Sequence, residues 1–353
     1  MLDALDLPLL WAIIIAIGVM MYVLLDGFDL GVGMLTSRAT SDEERNMMTA
    51  TIEPVWDGNE TWLIIGGGGL FAAFPKAYAI LMPAFYLPLL VMLAALIFRG
   101  VAFEFRHKAV RPQTKRFWNT AFWGGSLTAA VSQGMMLGAF VQGVVIEDGV
   151  WGGGPFDWLT PFTLLTGASV MIGYVLLGAC WLILKTENAL QHRAVAWARA
   201  ALIGVAICFA LVSFATLSVN PQVVDRWGFS LSEVDFGTLL PLSPVPLAGM
   251  TLCVLLWRDL SMLGNKDGGA PDWRPWLYTA GIFLTGYLGL AISIFPHIVP
   301  FEITIWQAAA RDNALALMGV GAVIMLPIIL AYTAYVYRVF WGKVKPGDGY
   351  HAH

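Results

Sequence analysis

The run LLWAIIIAIGVMMYVLLDGFDLGVG (Leu9–Gly33) is apolar until Asp26 and Asp29 appear near its end. A helix needs about 20 residues to cross the hydrocarbon core of a bilayer, and it pairs its own backbone polar groups in a solvent that cannot. This run is long enough to cross. It has no polar n-region and no small-residue cleavage site, and Asp26, Gly27 and Asp29 stand where a signal peptide would end, so it reads as a retained helix.

Outward from it, further apolar runs occupy 50–73, 78–103, 118–146, 158–184, 195–219, 238–260, 274–296 and 312–340, making nine expected spans with 9–33. The chain of 353 residues is 58% hydrophobic and only 12% charged, more apolar surface than a water-soluble domain can bury. The expected fold is therefore all-α and polytopic, one integral-membrane domain over residues 1–353 with no separate extramembrane catalytic module. Short loops favour antiparallel neighbouring helices packed as bundles. A net charge of −4 argues against a nucleic-acid partner. Cys180, Cys208 and Cys253 all lie in apolar runs without C-x-x-C spacing, so neither disulfides nor zinc are indicated.

Basic residues stay on the cytoplasmic side of a membrane. With the N-terminus outside, the inner loops hold seventeen Lys and Arg and the outer side only Lys76, Arg226 and Arg311. An outer N-terminus and a cytoplasmic C-terminus follow.

Ionisable groups inside a span cost about 2.5–3.5 kcal/mol each on insertion scales, so each calls for a partner, a pathway or a ligand. Asp26 and Asp29 share one face near the inner end of the first run. Glu53, Asp57 and Glu60 recur at spacings of four and three near the inner end of the second. Antiparallel packing would set both stripes at one depth, as a cytoplasm-facing proton funnel. The plainer alternative places Glu53 and Asp57 at a helix N-terminus and Asp29 among headgroups. In FRGVAFEFR, Arg99 is expected to pair with Glu104 or with one of those acids, and Arg106 to snorkel to the surface. Gly66–Gly69 lacks the following Lys-Ser/Thr of a phosphate loop and reads as a close-packing surface. His107 and His192 lie in basic loops, His351 and His353 end the chain, and His297 follows Pro296 in an outer segment. None is set to ligate a haem in a bundle core, so no metal or haem is expected in this chain.

LLDGFDLGVGML (Leu24–Leu35), EPVWDGNETWLI (Glu53–Ile64), LFAAFPKAYA (Leu70–Ala79), FRGVAFEFR (Phe98–Arg106) and FPHIVPFEITIWQAAA (Phe295–Ala310) together resemble, in order and spacing, subunit II of the cytochrome bd-type ubiquinol oxidases. The resemblance implies a nine-helix, haem-free chain built as four-helix bundles plus one additional helix, in a bacterial inner membrane with its N-terminus periplasmic, partnering a larger subunit I that carries haems b and d and the quinol site. It implies a complex that oxidises quinol and reduces oxygen to water with protons from the cytoplasm. Asp26 and Asp57 match the family positions tied to proton uptake, with Trp56 beside the latter, while Glu60 stands where some members have Gln. Some members hold a structural quinone in this subunit, and small single-span accessory subunits occur. The short outer connections fit the cyanide-insensitive branch. Two other readings stay open at this point: a proton-coupled secondary transporter, and an assembly subunit with no conducting path.

Overall fold

The computed structural model describes residues 6–219, 221–228, 235–264 and 269–345. Glu233, Lys266, His351 and His353 lie outside them.

Helix α1, Leu7–Leu35, starts on Asp6, whose carboxylate accepts from Leu9 N at 3.0 Å, and runs unbroken through both aspartates. After the 3₁₀ turn Thr36–Arg38 comes α2, Asp42–Ala50, capped by Ser41 and acidic through its first turn. Then follow α3 (Trp56–Glu60), α4 (Trp62–Ala73), α5 (Pro75–Ala84), α6 (Tyr86–Lys108) and α7 (Pro112–Gln142). A two-residue Asp148–Gly149 turn, with φ of 51° and 80°, joins strands β1 (Ile146–Glu147) and β2 (Val150–Trp151). That pair of positive φ values is the hairpin turn for which Asp-Gly is suited. Next come α8 (Pro161–Lys185), held by a Thr160–Thr163 capping box, α9 (Asn188–Val219), α10 (Pro221–Arg226), α11 (Phe236–Leu242), α12 (Pro244–Leu263) and α13 (Arg274–Ile294). A hairpin of β3 (His297–Val299) and β4 (Ile303–Thr304), α14 (Ile305–Ala308) and α15 (Asp312–Val339) complete the described chain.

Seven helices among the described residues are long and apolar enough to cross a membrane: α1, α6, α8, α9, α12, α13 and α15. Two of the nine expected runs have a different build. Run 50–73 is no single helix: residues 51–55 form a turn and Thr61 divides α3 from α4. Run 78–103 joins two elements, because α5 ends at Phe85 and α6 begins afresh. Helix α7 is 31 residues long, but Ser126, Thr128, Ser132, Gln133 and several glycines within it leave its interior less apolar than those seven. Pro296–Thr304 makes a hairpin, with Val299 buried, rather than extending α13.

Helix α1 lies at the centre, its lower half fully enclosed by α3, α6, α7 and α8. Small residues set the spacing. A methyl group added at Gly31 would fall 1.8 Å from the Tyr174 carbonyl oxygen, and one at Gly178 would fall 2.4 Å from Gly31 C, so α1 and α8 meet backbone to backbone. Within Gly66–Gly69 two positions take α1 closely, Gly66 against Val19 and Gly69 against Ile15, while Gly67 and Gly68 meet no other helix within 4 Å.

The loops assigned above to one side of the membrane meet at one end of the molecule. At the basic end Lys115 pairs with Asp42 (3.0 Å), Arg193 with Glu44 (2.5 Å), and Lys343 with Asp272. At the opposite end Ala310 N donates to Ala73 O (2.8 Å), Trp11 Nε1 to Leu315 O (3.0 Å) and Trp227 Nε1 to Ser293 Oγ (2.8 Å).

Candidate functional site

Asp26 and Asp29 are both wholly buried, one turn apart on α1. Two unpartnered carboxylates there would be prohibitive, and the helices packed on α1 answer them. Arg99, on α6 and 1% exposed, donates from Nη1 to Asp26 Oδ1 at 2.6 Å and holds Nη2 4.0 Å from Asp29 Oδ2. It can stand there because Gly125 on α7 has no side chain: a Cβ at Gly125 would lie 3.2 Å from the Arg99 Cβ. Asn59, on α3 and also buried, donates from Nδ2 to Asp29 Oδ2 at 2.8 Å, and its Oδ1 accepts from the Tyr337 hydroxyl at 2.8 Å. Tyr22 borders Asp26 on the other side and accepts from Gln133 Nε2 at 2.7 Å. Gln133 Oε1 in turn accepts from the Tyr174 hydroxyl at 2.7 Å. Gly27 makes that last contact feasible, since a Cβ at Gly27 would strike the Tyr174 ring at 2.7 Å.

The cluster is incompletely satisfied. Asp26 Oδ2, Asp29 Oδ1, Arg99 Nε and Arg99 Nη2 are buried and accept or donate no hydrogen bond. Native interiors leave few such atoms, so each calls for a physical explanation. Charge balance is also incomplete, with one guanidinium between two carboxylates.

A cleft of about 350 Å³ reaches this cluster from the surface. Glu53, Trp56, Asp57 and Glu104 line it together with Tyr332, Thr333, Val336 and Tyr337 of α15, and Asn59 closes its inner wall. Asn59 and Tyr337 thus face the cleft and the buried carboxylates at once.

The residues singled out from sequence fall into two places. Asp26, Asp29 and Arg99 form the buried cluster, whereas Asp57 and Glu104 are exposed on the cleft with Trp56 half-buried beside them. Arg99 chooses Asp26 over Glu104 as its ion-pair partner. Glu60 is half-buried and lies within electrostatic range of Arg99 and Asp26. Arg106 does not snorkel: it is 4% exposed and donates from Nε to Asn119 Oδ1 at 2.5 Å. Asn59 therefore links the second acidic motif to the first, a role expected of its carboxylates. Asn59, Gln133, Tyr22, Tyr174 and Tyr337 escaped a search for ionisable groups, although Asn59 sits in the middle of WDGNETW and Gln133 interrupts an apolar run.

Among the described residues no three His, Cys, Asp or Glu side chains converge as metal ligands. His192 is exposed, and His297 Nδ1 lies 3.3 Å from Ile294 O in the hairpin region. Neither fits an axial ligand in the bundle core.

The family described as Cytochrome bd terminal oxidase subunit II matches residues 7–340. The chain is 32% identical over 380 residues to Cytochrome bd-I ubiquinol oxidase subunit 2 of Escherichia coli (strain K12), covering 99% of this chain and 98% of that one. It is 30% identical over 344 residues to Cytochrome bd ubiquinol oxidase subunit 2 of Bacillus subtilis (strain 168), covering 95% and 96%. Its fold is similar to a chain of the solved bd oxidase from Geobacillus thermodenitrificans, with a TM-score of 0.74 at 15% identity over 95% of this chain and 99% of that chain.

Proposed function

Because the chain belongs to the family of cytochrome bd terminal oxidase subunit II, a multi-pass membrane component of a quinol oxidase complex, we propose that it carries protons from the cytoplasm to a haem-bearing subunit I that it also stabilises. In this reading the chain crosses a bacterial inner membrane nine times, with α3–α4 and α7 as the two crossings beyond the seven apolar helices. Its N-terminus is periplasmic and its basic end cytoplasmic. The contacts between loops of like assignment support that topology. Haems b and d, quinol oxidation and oxygen reduction belong to the partner, and this chain's residues hold and move protons.

One observation supports the proton role above the rest: a hydrogen-bonded series runs from the cleft, through Tyr337 and Asn59, to Asp29. Glu53, Asp57 and Glu104 give the cleft mouth a negative potential that concentrates protons. With Asp29 ionised, Asn59 Nδ2 donates to it and Asn59 Oδ1 accepts from Tyr337. A proton bound at Asp29 Oδ2 turns that oxygen into a donor, and a half-turn of the Asn59 amide presents Oδ1 to it and Nδ2 to the Tyr337 oxygen. The contacts to Asp29 and Tyr337 are kept in either state of Asp29, and the half-turn gives up only the long 3.4 Å bond from Asn59 Nδ2 to Leu25 O. Arg99 fastens Asp26 and neutralises it, which leaves Asp29 as the carboxylate whose charge can change. Tyr22, Gln133 and Tyr174 continue the polar path across α7 and α8.

The wholly buried Arg99–Asp26 pair favours a second reading, in which the cluster only locks α1 to α6. Asn59→Leu separates the two. The conducting reading expects oxygen consumption to fall about 10²-fold or more, the contribution of one positioned proton-transfer group, with proton uptake slowed and haem spectra unchanged. Wild-type turnover in an assembled Asn59→Leu complex would leave the cluster a structural lock.

A further inference from the structure

We propose that the cavity at the basic end, between the turn after α1, the start of α2 and the start of α7, is a binding site for the phosphate headgroup of an anionic phospholipid. The cavity is about 740 Å³ and is lined by Thr36, Ser37, Asp42, Arg45, Lys115, Arg116, Asn119 and Trp123, among others. Three cations line it and one carboxylate does. Asp42 already serves two of them, pairing with Arg45 at 2.7 Å and Lys115 at 3.0 Å, so an excess of positive charge faces the cavity.

Two further features converge on an anion. Helix α7 begins at this wall with no side chain capping its N-terminus, although it is 31 residues long, so the positive end of its dipole is unanswered. Behind Asn119 lies Arg106, only 4% exposed, whose Nη2 is buried and makes no hydrogen bond while Nε is held by Asn119. Arg106 does not line the cavity, but it interacts electrostatically with Arg45 and Asp42 of the lining and adds positive charge behind the wall that Asn119 forms. The apolar part of the lining, Ala109, Val110 and Trp123, gives acyl chains a place to leave the cavity. A free phosphate would make no use of it.

The test is native mass spectrometry of the delipidated two-subunit complex titrated with phosphatidylglycerol, phosphatidylcholine or inorganic phosphate. Retained phosphatidylglycerol is expected, with phosphatidylcholine binding weaker and inorganic phosphate not displacing it. At roughly a fivefold loss per basic residue near a membrane surface, the Lys115→Gln/Arg116→Gln double variant should bind phosphatidylglycerol about 25-fold more weakly. Both positions are solvent-accessible, which keeps the fold intact. The Arg258→Gln/Arg338→Gln variant removes equal charge from the same end outside the cavity and should bind like wild type. Equal retention in the Lys115/Arg116 variant, equal loss in the Arg258/Arg338 variant, equal binding of phosphatidylcholine, or displacement by inorganic phosphate would each overturn the proposal.

Discussion

Replacing Arg99 by Met probes the charge arithmetic of the buried cluster. The guanidinium is 1% exposed and is the cation paired with Asp26 at 2.6 Å and nearest Asp29 at 4.0 Å, while both carboxylates are wholly buried. Removing one member of a buried pair leaves the other uncompensated and costs about 3–5 kcal/mol, a factor of roughly 10² to several 10³ in the ratio of assembled to unassembled chain. The assay is the yield of haem-containing complex from membranes, together with its thermal inactivation midpoint in one detergent. Arg99→Met should collapse both, whereas Arg258→Met, at an exposed site, should change neither. The Arg99→Met/Asp26→Asn double variant then reports on Asp29. If Asp29 carries the proton that balances the cluster, the double variant regains most of the loss. If recovery requires Asp29→Asn as well, Asp29 stays ionised even with no cation beside it and cannot take up a proton there, which refutes the uptake scheme. An Arg99→Met complex as stable as Arg258→Met would refute the pairing argument itself.

Asp57→Asn should lower oxygen consumption with haem spectra and assembly intact, and the Glu53→Gln/Asp57→Asn/Glu104→Gln variant should lower it further, because the three share one cleft mouth. Oxygen-electrode rates check the order of the two effects. Gly31→Ala places a methyl group 1.8 Å from the Tyr174 carbonyl; forcing two backbones apart should cost about 3 kcal/mol or more and abolish assembly, read as lost complex in the membrane. At the basic end, burial works against ionising Glu44, but hydrogen bonds from Thr40 and the Arg193 guanidinium outweigh it and hold the carboxyl below its usual range. A folded-state pKa lowered in this way adds stability above the unfolded pKa of about 4.3 and loses it as pH falls through the folded value. Thermal inactivation should therefore be insensitive to Glu44 titration between pH 7 and 6, and wild type should lose more than Glu44→Gln when taken below pH 4.

Hydropathy located the apolar runs because burial in lipid depends on composition, which a sequence displays directly. It joined α5 to α6 and treated 50–73 as one helix because a window of apolar residues does not register a change of direction at Phe85 or at residues 51–55. The weight on Asp26 and Asp29 was legible for a similar reason: a carboxylate in an apolar helix is an anomaly wherever the helix lies. Its partners were not. Arg99 is 73 residues from Asp26 and Tyr337 is 278 from Asn59, and the relative height and rotation of two helices depend on how small residues such as Gly31 and Gly125 let them approach. Asn59 and Gln133 carry no charge and drew no notice, yet neutral amides are the groups that can connect a buried acid to its surroundings without adding a second charge.

Helix α15 forms one side of the cleft, through Tyr332 to Tyr337, and is otherwise thinly covered. Just beyond it a reciprocal fastening occurs: Lys185 Nζ donates to Phe340 O at 2.6 Å, while Lys343 Nζ donates to Thr186 O at 2.9 Å, so α8 and the segment after α15 each supply a lysine to a carbonyl at the end of the other's helix. Ribosomes deliver these residues after every other wall is already synthesised. A nascent chain stalled before position 332 lacks the side of the cleft that Tyr332 to Tyr337 supply, and Asn59 Oδ1 has no Tyr337 hydroxyl to accept from.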